Sequence, residues 1–356
     1  MFKMKRLVQI ACTAALISAS SYSYAAQNGI NYDPAHSKAY NVAQHDYNGP
    51  NGVRGMTDAI NNDLMQIKNT LKFNTIKTYF SKYCNIPTGQ CVPIAQLAQA
   101  AGLQVLLGVY EFEPRDGCHD NSDCIAWTQS QIDQAITSAN APGSTVIGIV
   151  VGNEDMYDSS GAAKRDLQQR IVLDIEAIKD AVSVPVTTAQ RQGDWCGGMA
   201  NGCDPARKNS INQTNPFKIL DTIAKSGNVI GANIFPYWGG SPEKVNGVSV
   251  ASATQTTAMD LKIALGGKGV IVTEEGWPSC SNTPDQHPTT IDDEIDYFHT
   301  WSTHANQAFD SYYFQAYDLA ERIACGSGGP SGDADKHFGL CAVTGVTKDS
   351  RLIGCK

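Results

Sequence analysis

Two places in the chain put acid at the end of an otherwise apolar run. Glu154 follows VIGIVVGN (146–153), and Glu274 and Glu275 lie near the end of GVIVTEEGWP (269–278). A charged side chain there is costly unless it meets solvent, a partner or a substrate. Two carboxylates facing one cleft match the cleavage of a glycosidic bond. One acid delivers a proton to the leaving oxygen, while the other, ionised, attacks or stabilises the sugar cation. A gap of roughly 5–5.5 Å between them gives retention, and roughly 6.5–9.5 Å gives inversion. Asn153, beside Glu154, offers an amide that can hydrogen-bond a sugar 2-hydroxyl. Tyr79, Tyr110, Tyr237, Trp238, Trp277 and Tyr317 fall at or near the ends of other apolar runs. Aromatic faces there can pack on the C–H faces of sugar rings.

What must position these groups is an alternation that runs the length of the chain. Strand-like runs are read at 29–33, 75–79, 104–110, 146–154, 185–190, 229–238, 269–278 and 311–318. They are rich in β-branched and aromatic residues and apolar on both faces, as parallel strands buried on both sides are. Between them the spacing turns helical: Ile60, Leu64, Ile67 and Leu71 share one face, and so do Leu167, Ile171, Ile175, Ile178 and Val182. Eight strand–helix units predict an α/β fold of the (β/α)8 TIM-barrel type, a single domain with its catalytic glutamates at the carboxyl ends of strands four and seven. A doubly wound open sheet is the alternative, but no Gly-x-Gly-x-x-Gly turn follows the first strand.

Residues 1–25 resemble a secretory leader, with Lys3, Lys5 and Arg6 before a short apolar stretch and a small-residue site ending at Ala25. The catalytic domain is then expected over 26–356, in a secreted protein (extracellular, cell wall or periplasm). The formal net charge is −8, and the leader holds three of the cations. That balance argues against nucleic acid or an acidic membrane surface as partner and suits a neutral polymer. A monomer is expected.

Of eleven cysteines only Cys12 lies in the leader. Close spacing predicts the disulfides Cys84–Cys91, Cys118–Cys124 and Cys196–Cys203. The other four allow three connectivities, and Cys280–Cys325 with Cys341–Cys355 is the working assignment. The chain has no Cys-x-x-Cys, so neither a metal nor a cofactor is expected. Asn212-Gln213-Thr214 is a glycosylation sequon, meaningful only in a eukaryotic host.

Taken together, Gly29-Ile30-Asn31-Tyr32, Ile76-Lys77-Thr78-Tyr79, Val151-Gly152-Asn153-Glu154, Asn233-Ile234-Phe235-Pro236-Tyr237-Trp238, Thr273-Glu274-Glu275-Gly276-Trp277-Pro278-Ser279 and His337-Phe338-Gly339-Leu340 resemble, in order, the motifs of glycoside hydrolase family 17, the β-1,3-glucanases. The resemblance covers nearly all of the chain after the leader. It implies a retaining double displacement with Glu154 as acid/base and Glu274 as nucleophile. It also implies a sugar site lined by Tyr32, Tyr79, Asn153, Phe235, Tyr237 and Trp277. Phe235 stands where the family commonly has Tyr, and Gln315 replaces an expected Glu on the eighth strand. The expected substrate is a β-1,3-glucan, cut internally. Transglycosylation by the same two glutamates and a non-catalytic glucan-binding role at the cell surface are the alternatives.

Overall fold

The computed structural model describes residues 28–112, 121–155, 161–196, 229–239, 247–264, 266–267, 269–281, 288–304, 309–319, 332–342, 348–349 and 351–352. Eight strands close into a barrel: β1 (Asn28–Asn31), β2 (Thr75–Lys77), β5 (Gln104–Val109), β6 (Val146–Asn153), β7 (Val186–Arg191), β8 (Val229–Asn233), β9 (Gly269–Glu275) and β10 (Asp310–Tyr313). They pair in the order β1-β10-β9-β8-β7-β6-β5-β2, every pair parallel. The predicted TIM barrel is therefore the observed fold, and β6 and β9 are its fourth and seventh strands.

The helical stripes face the barrel as their spacing requires. In α2 (Gly49–Asn69), Met56, Ile60, Leu64 and Ile67 are buried, and in α5 (Gly161–Ala181) so are Leu167, Ile171, Ile175 and Ile178. The remaining helices are α1 (Lys38–Gln44), α3 (Ile94–Ala100), α4 (Asn121–Ala139), α6 (Gln192–Cys196), α7 (Gly247–Ala264), α8 (Ile291–His304) and α9 (Gly332–Asp335). A second, smaller apolar cluster joins Leu106, Val150, Ala189 and Tyr312 from four different strands, which can meet only inside the barrel.

Three features depart from the expectation. A two-stranded antiparallel hairpin, β3 (Lys82–Cys84) and β4 (Cys91–Pro93), follows β2 and is clasped by the Cys84–Cys91 disulfide. The sixth strand stops at Asn233 instead of 238, because Pro236 lacks the N–H a ladder needs and opens a 3-10 turn, Pro236–Gly239. The eighth stops at Tyr313 instead of 318, where the Phe314–Gln315 peptide is cis. Cys124, Cys280 and Cys341 are disulfide-bonded. Their expected partners Cys118, Cys325 and Cys355, the Cys196–Cys203 pair, the leader and Asn212 lie outside the described residues or side chains.

Candidate active site

The mouth of β6 turns sharply enough to bring two consecutive residues into one cleft. Its register with β7 shifts between Val150 and Asn153, Gly152 has φ 72°, and Glu154 has φ 60°. Positive φ is rare for a residue with a Cβ and costs about 1–3 kcal/mol, held in place only by surrounding structure. Here Glu154 N donates to Ala189 O at 2.9 Å, and both carboxylate oxygens are engaged. Asn233 Nδ2 donates to Oε1 at 2.9 Å and Arg191 Nε to Oε2 at 2.7 Å. A Cβ at Gly152 would lie 2.0 Å from Asp155 Oδ2, so only glycine lets the chain fold back this closely.

Alternation along β9 sends its two adjacent glutamates to opposite sides. Glu274 points into the barrel mouth, where Lys77 Nζ donates to Oε1 at 2.7 Å and Tyr79 Oη to the same oxygen at 2.8 Å. Glu275 points outward and accepts from Tyr297 and Trp301 of α8 and from Ser311 of β10. It anchors the helix layer to the barrel. At Gly276 a Cβ would lie 2.2 Å from Phe314 O, so glycine is what lets the end of the eighth strand close against β9.

A chain of polar contacts joins the two candidate acids. Lys77 Nζ, already on Glu274, also reaches Asn153 Oδ1 at 3.2 Å. Asn233 Nδ2, already on Glu154, reaches the same Asn153 oxygen at 3.3 Å. Thr273 fixes the Asn233 amide from behind by donating to its Oδ1 at 2.7 Å. Burial pushes the Glu274 carboxyl up from its ordinary value, while the Lys77 charge pulls it down and the Glu154 charge pushes it up again. Burial likewise pushes the Lys77 ammonium down, opposed chiefly by Glu274 and then by Glu154. A single buried lysine thus lies in the field of both carboxylates.

The expected sugar-site residues divide. Asn153, Glu154, Tyr79 and Glu274 come together in this network. Phe235 and Trp277 are partly exposed at the mouths of β8 and β9; Phe235 meets Phe314 and Phe338 edge-on, and Trp277 Nε1 donates to Thr289 Oγ1. Tyr237 is buried edge-on behind Trp277 and Trp238 and backs the wall. Tyr32 corrects the expectation: it is fully buried, with its hydroxyl on Asp63 of α2, so it faces the helix layer and not a sugar. Tyr317 turns the same way, toward Gln66.

Lys77, Arg191 and Asn233 were not singled out from the sequence. A lysine inside the apolar run of β2 was the one available signal, since its charge needs a buried partner. The partners lie 197, 37 and 79 positions away, out of reach of any local pattern. No group of acidic, cysteine and histidine side chains among the described residues is arranged to hold a metal ion.

An eight-stranded parallel barrel with a half-buried carboxylate at the mouth of its fourth strand and a buried one at its seventh is the frame of a barrel glycoside hydrolase. The BtgE/BtgC glycoside hydrolase domain matches residues 29–339, and the chain belongs to that family; the family 17 assignment read from its motifs holds. Among similar proteins are those named "probable glucan endo-1,3-beta-glucosidase btgC" from two strains of Aspergillus fumigatus. Each is 23% identical over 201 residues, which cover 51% of this chain and 25% of the relative. The match thus spans about a quarter of the length of those relatives. The solved family 17 β-1,3-glucanosyltransferase from Rhizomucor miehei is 22% identical with a TM-score of 0.58, covering 92% of this chain and 97% of its own. An endo-laminarinase from Formosa Hel1_33_131 is 16% identical with a TM-score of 0.59, covering 90% and 84%. At these identities the two structures speak for the fold alone.

Proposed function

We propose that this chain is a secreted, retaining glycosidase that cleaves β-1,3-glucan internally, without metal or cofactor. Glu154 in its acid form gives its proton to the glycosidic oxygen as Glu274 attacks the anomeric carbon. The bond from that carbon to the leaving sugar breaks and one to Glu274 forms. Glu154, now a base, takes a proton from water, whose oxygen displaces Glu274 and leaves both side chains as they began. For Glu154 to act as acid, Arg191, which is partly exposed, must yield its oxygen to the proton. Asn153, its oxygen fixed by Lys77 and Asn233, turns its NH2 toward the sugar 2-hydroxyl.

The observation that carries this reading is the pairing of Glu274 with a buried lysine in a network that reaches Glu154 through Asn153. That pairing supports Glu274 as the ionised partner, and the network links it to Glu154 across the cleft. The glucan as substrate is supported by the names of the Aspergillus relatives. A second reading keeps the same chemistry but lets another sugar replace water, and the Rhizomucor glucanosyltransferase, which the chain matches nearly end to end, favours weighing it.

Both readings are tested by a product profile on β-1,3-, β-1,4-, β-1,6- and mixed-linkage glucans. Shortened β-1,3-oligosaccharides are expected. Products longer than the substrate establish transfer, and no turnover of any β-1,3-linked glucan overturns the proposal.

A further inference from the structure

The barrel mouth also carries a row of aromatic rings that the bond-breaking step does not use. It starts inside the site. Tyr79, whose hydroxyl lies on Glu274, is followed by Phe80, and the Phe80 ring stacks on Tyr110 with centroids 4.9 Å apart and planes at 20°. Tyr110 meets Phe112 edge-on at 5.0 Å, and Phe112 meets Trp127 of α4 at 5.8 Å with planes at 42°. Phe80, Tyr110 and Phe112 are partly exposed, and Trp127 is 40% exposed.

Two buried side chains on one face of α4 lock the row in place. Gln131 accepts from Ser81 N and Ser81 Oγ and donates to Lys82 O, fixing the segment after β2. Thr128, three positions earlier and so on the same face, accepts from Phe112 N and donates to Tyr110 O, fixing the segment after β5. Single exposed apolar residues are ordinary on a protein surface. Four rings in sequence, pinned by buried polar ties and beginning one residue after Tyr79, present a rigid apolar track with one hydroxyl.

We infer that Phe80, Tyr110, Phe112 and Trp127 form a platform that carries a β-glucan chain out of the cleft and onto α4, beyond the sugars held at Glu154 and Glu274. The inference rests on the reading that the cleft takes β-glucan. A polymer threaded through the cleft meets these rings next, and stacking of C–H faces on aromatic faces tolerates any neutral sugar repeat. The track therefore acts on long chains and leaves short ones alone.

The test uses the full chain with Trp127→Ala and Trp127→Tyr, assayed on a long soluble β-1,3-glucan and on laminaritriose. Trp127→Ala should raise KM for the long glucan roughly 5–10-fold, with its kcat and the trisaccharide kcat/KM unchanged. Trp127→Tyr should restore the long-chain KM. Unchanged KM on the long glucan in Trp127→Ala, or an equal loss on both substrates, would overturn the platform. Failure of the unsubstituted chain to turn over any β-glucan would instead remove the reading beneath it.

Discussion

Lys77 and Glu274 form an ion pair within the barrel mouth, 2.7 Å apart, with side-chain exposures of only 1% and 5%. They come from the second and seventh strands. Burial pushes the Glu274 carboxyl up, and Lys77 is the main influence that brings it back down. The proposed nucleophile must be ionised, so on that proposal its titration sets the acid side of the pH–activity profile. Replacing Lys77 with Met should let the carboxyl climb further and move the acid limb of kcat/KM to higher pH. A loss of roughly 10²-fold is expected at mildly acid pH, smaller at pH 8. Lys77→Arg should retain more activity. An acid limb that stays in place in Lys77→Met would contradict this role.

Glu275, the immediate neighbour, should behave in the opposite way. Its oxygens accept from Tyr297, Trp301 and Ser311 in a site sealed from solvent. Glu275→Gln keeps the shape but turns an NH2 toward donors. It should cost about 1.5–3 kcal/mol of stability in urea titration, while the folded fraction keeps kcat within a few-fold. Lost turnover without lost stability would place Glu275 in the chemistry instead.

A second buried ionic cluster lies under the C-terminal segment. Lys348 Nζ contacts Glu294 at 3.1 Å, Asp318 at 2.8 Å, and the carbonyls of His337 at 2.8 Å and Gly339 at 2.7 Å. Lys348→Met removes the ammonium from the buried Asp318 carboxylate and the donor from the buried Glu294 carboxyl, and should lower stability by about 3–5 kcal/mol, read from the denaturant midpoint. A change below 1 kcal/mol would mean that the cluster is not formed.

The same cluster should make stability depend on pH. Burial raises the Glu294 carboxyl from 4.5 to about 8 against the pull of Lys348. Between those values the folded chain holds a proton that the unfolded chain has released. Stability should therefore fall as pH rises through that window. Glu294→Gln cannot titrate and should flatten the fall. An identical pH slope in the variant would argue against it.

Much of the frame was legible because parallel barrel strands are buried on both faces and leave plain apolar runs, VIGIVV of β6 above all. The ends were less so. Asn233–Trp238 looks extended by composition, but Pro236 ends the ladder, and the three-residue strands of the Cys84–Cys91 hairpin are too short to carry a period. Glu154 and Glu274 were visible as charges closing apolar runs. Their supports Lys77, Arg191 and Asn233 were not, since each earns its meaning only from a strand elsewhere in the barrel. Tyr32 was misplaced because alternation along β1 sends it to the side opposite Asn31, and its hydroxyl reaches Asp63 of α2.

The roles of the two acids can be tested most directly by exchanging each for Ala and adding azide with an activated β-glucoside substrate. With Glu154→Ala, azide should attack the glycosyl–Glu274 intermediate and give a β-glycosyl azide. With Glu274→Ala, azide should replace the missing nucleophile and give an α-glycosyl azide. If azide restores turnover in neither variant, or both give the same anomer, Glu154 and Glu274 do not hold these two positions about the anomeric carbon.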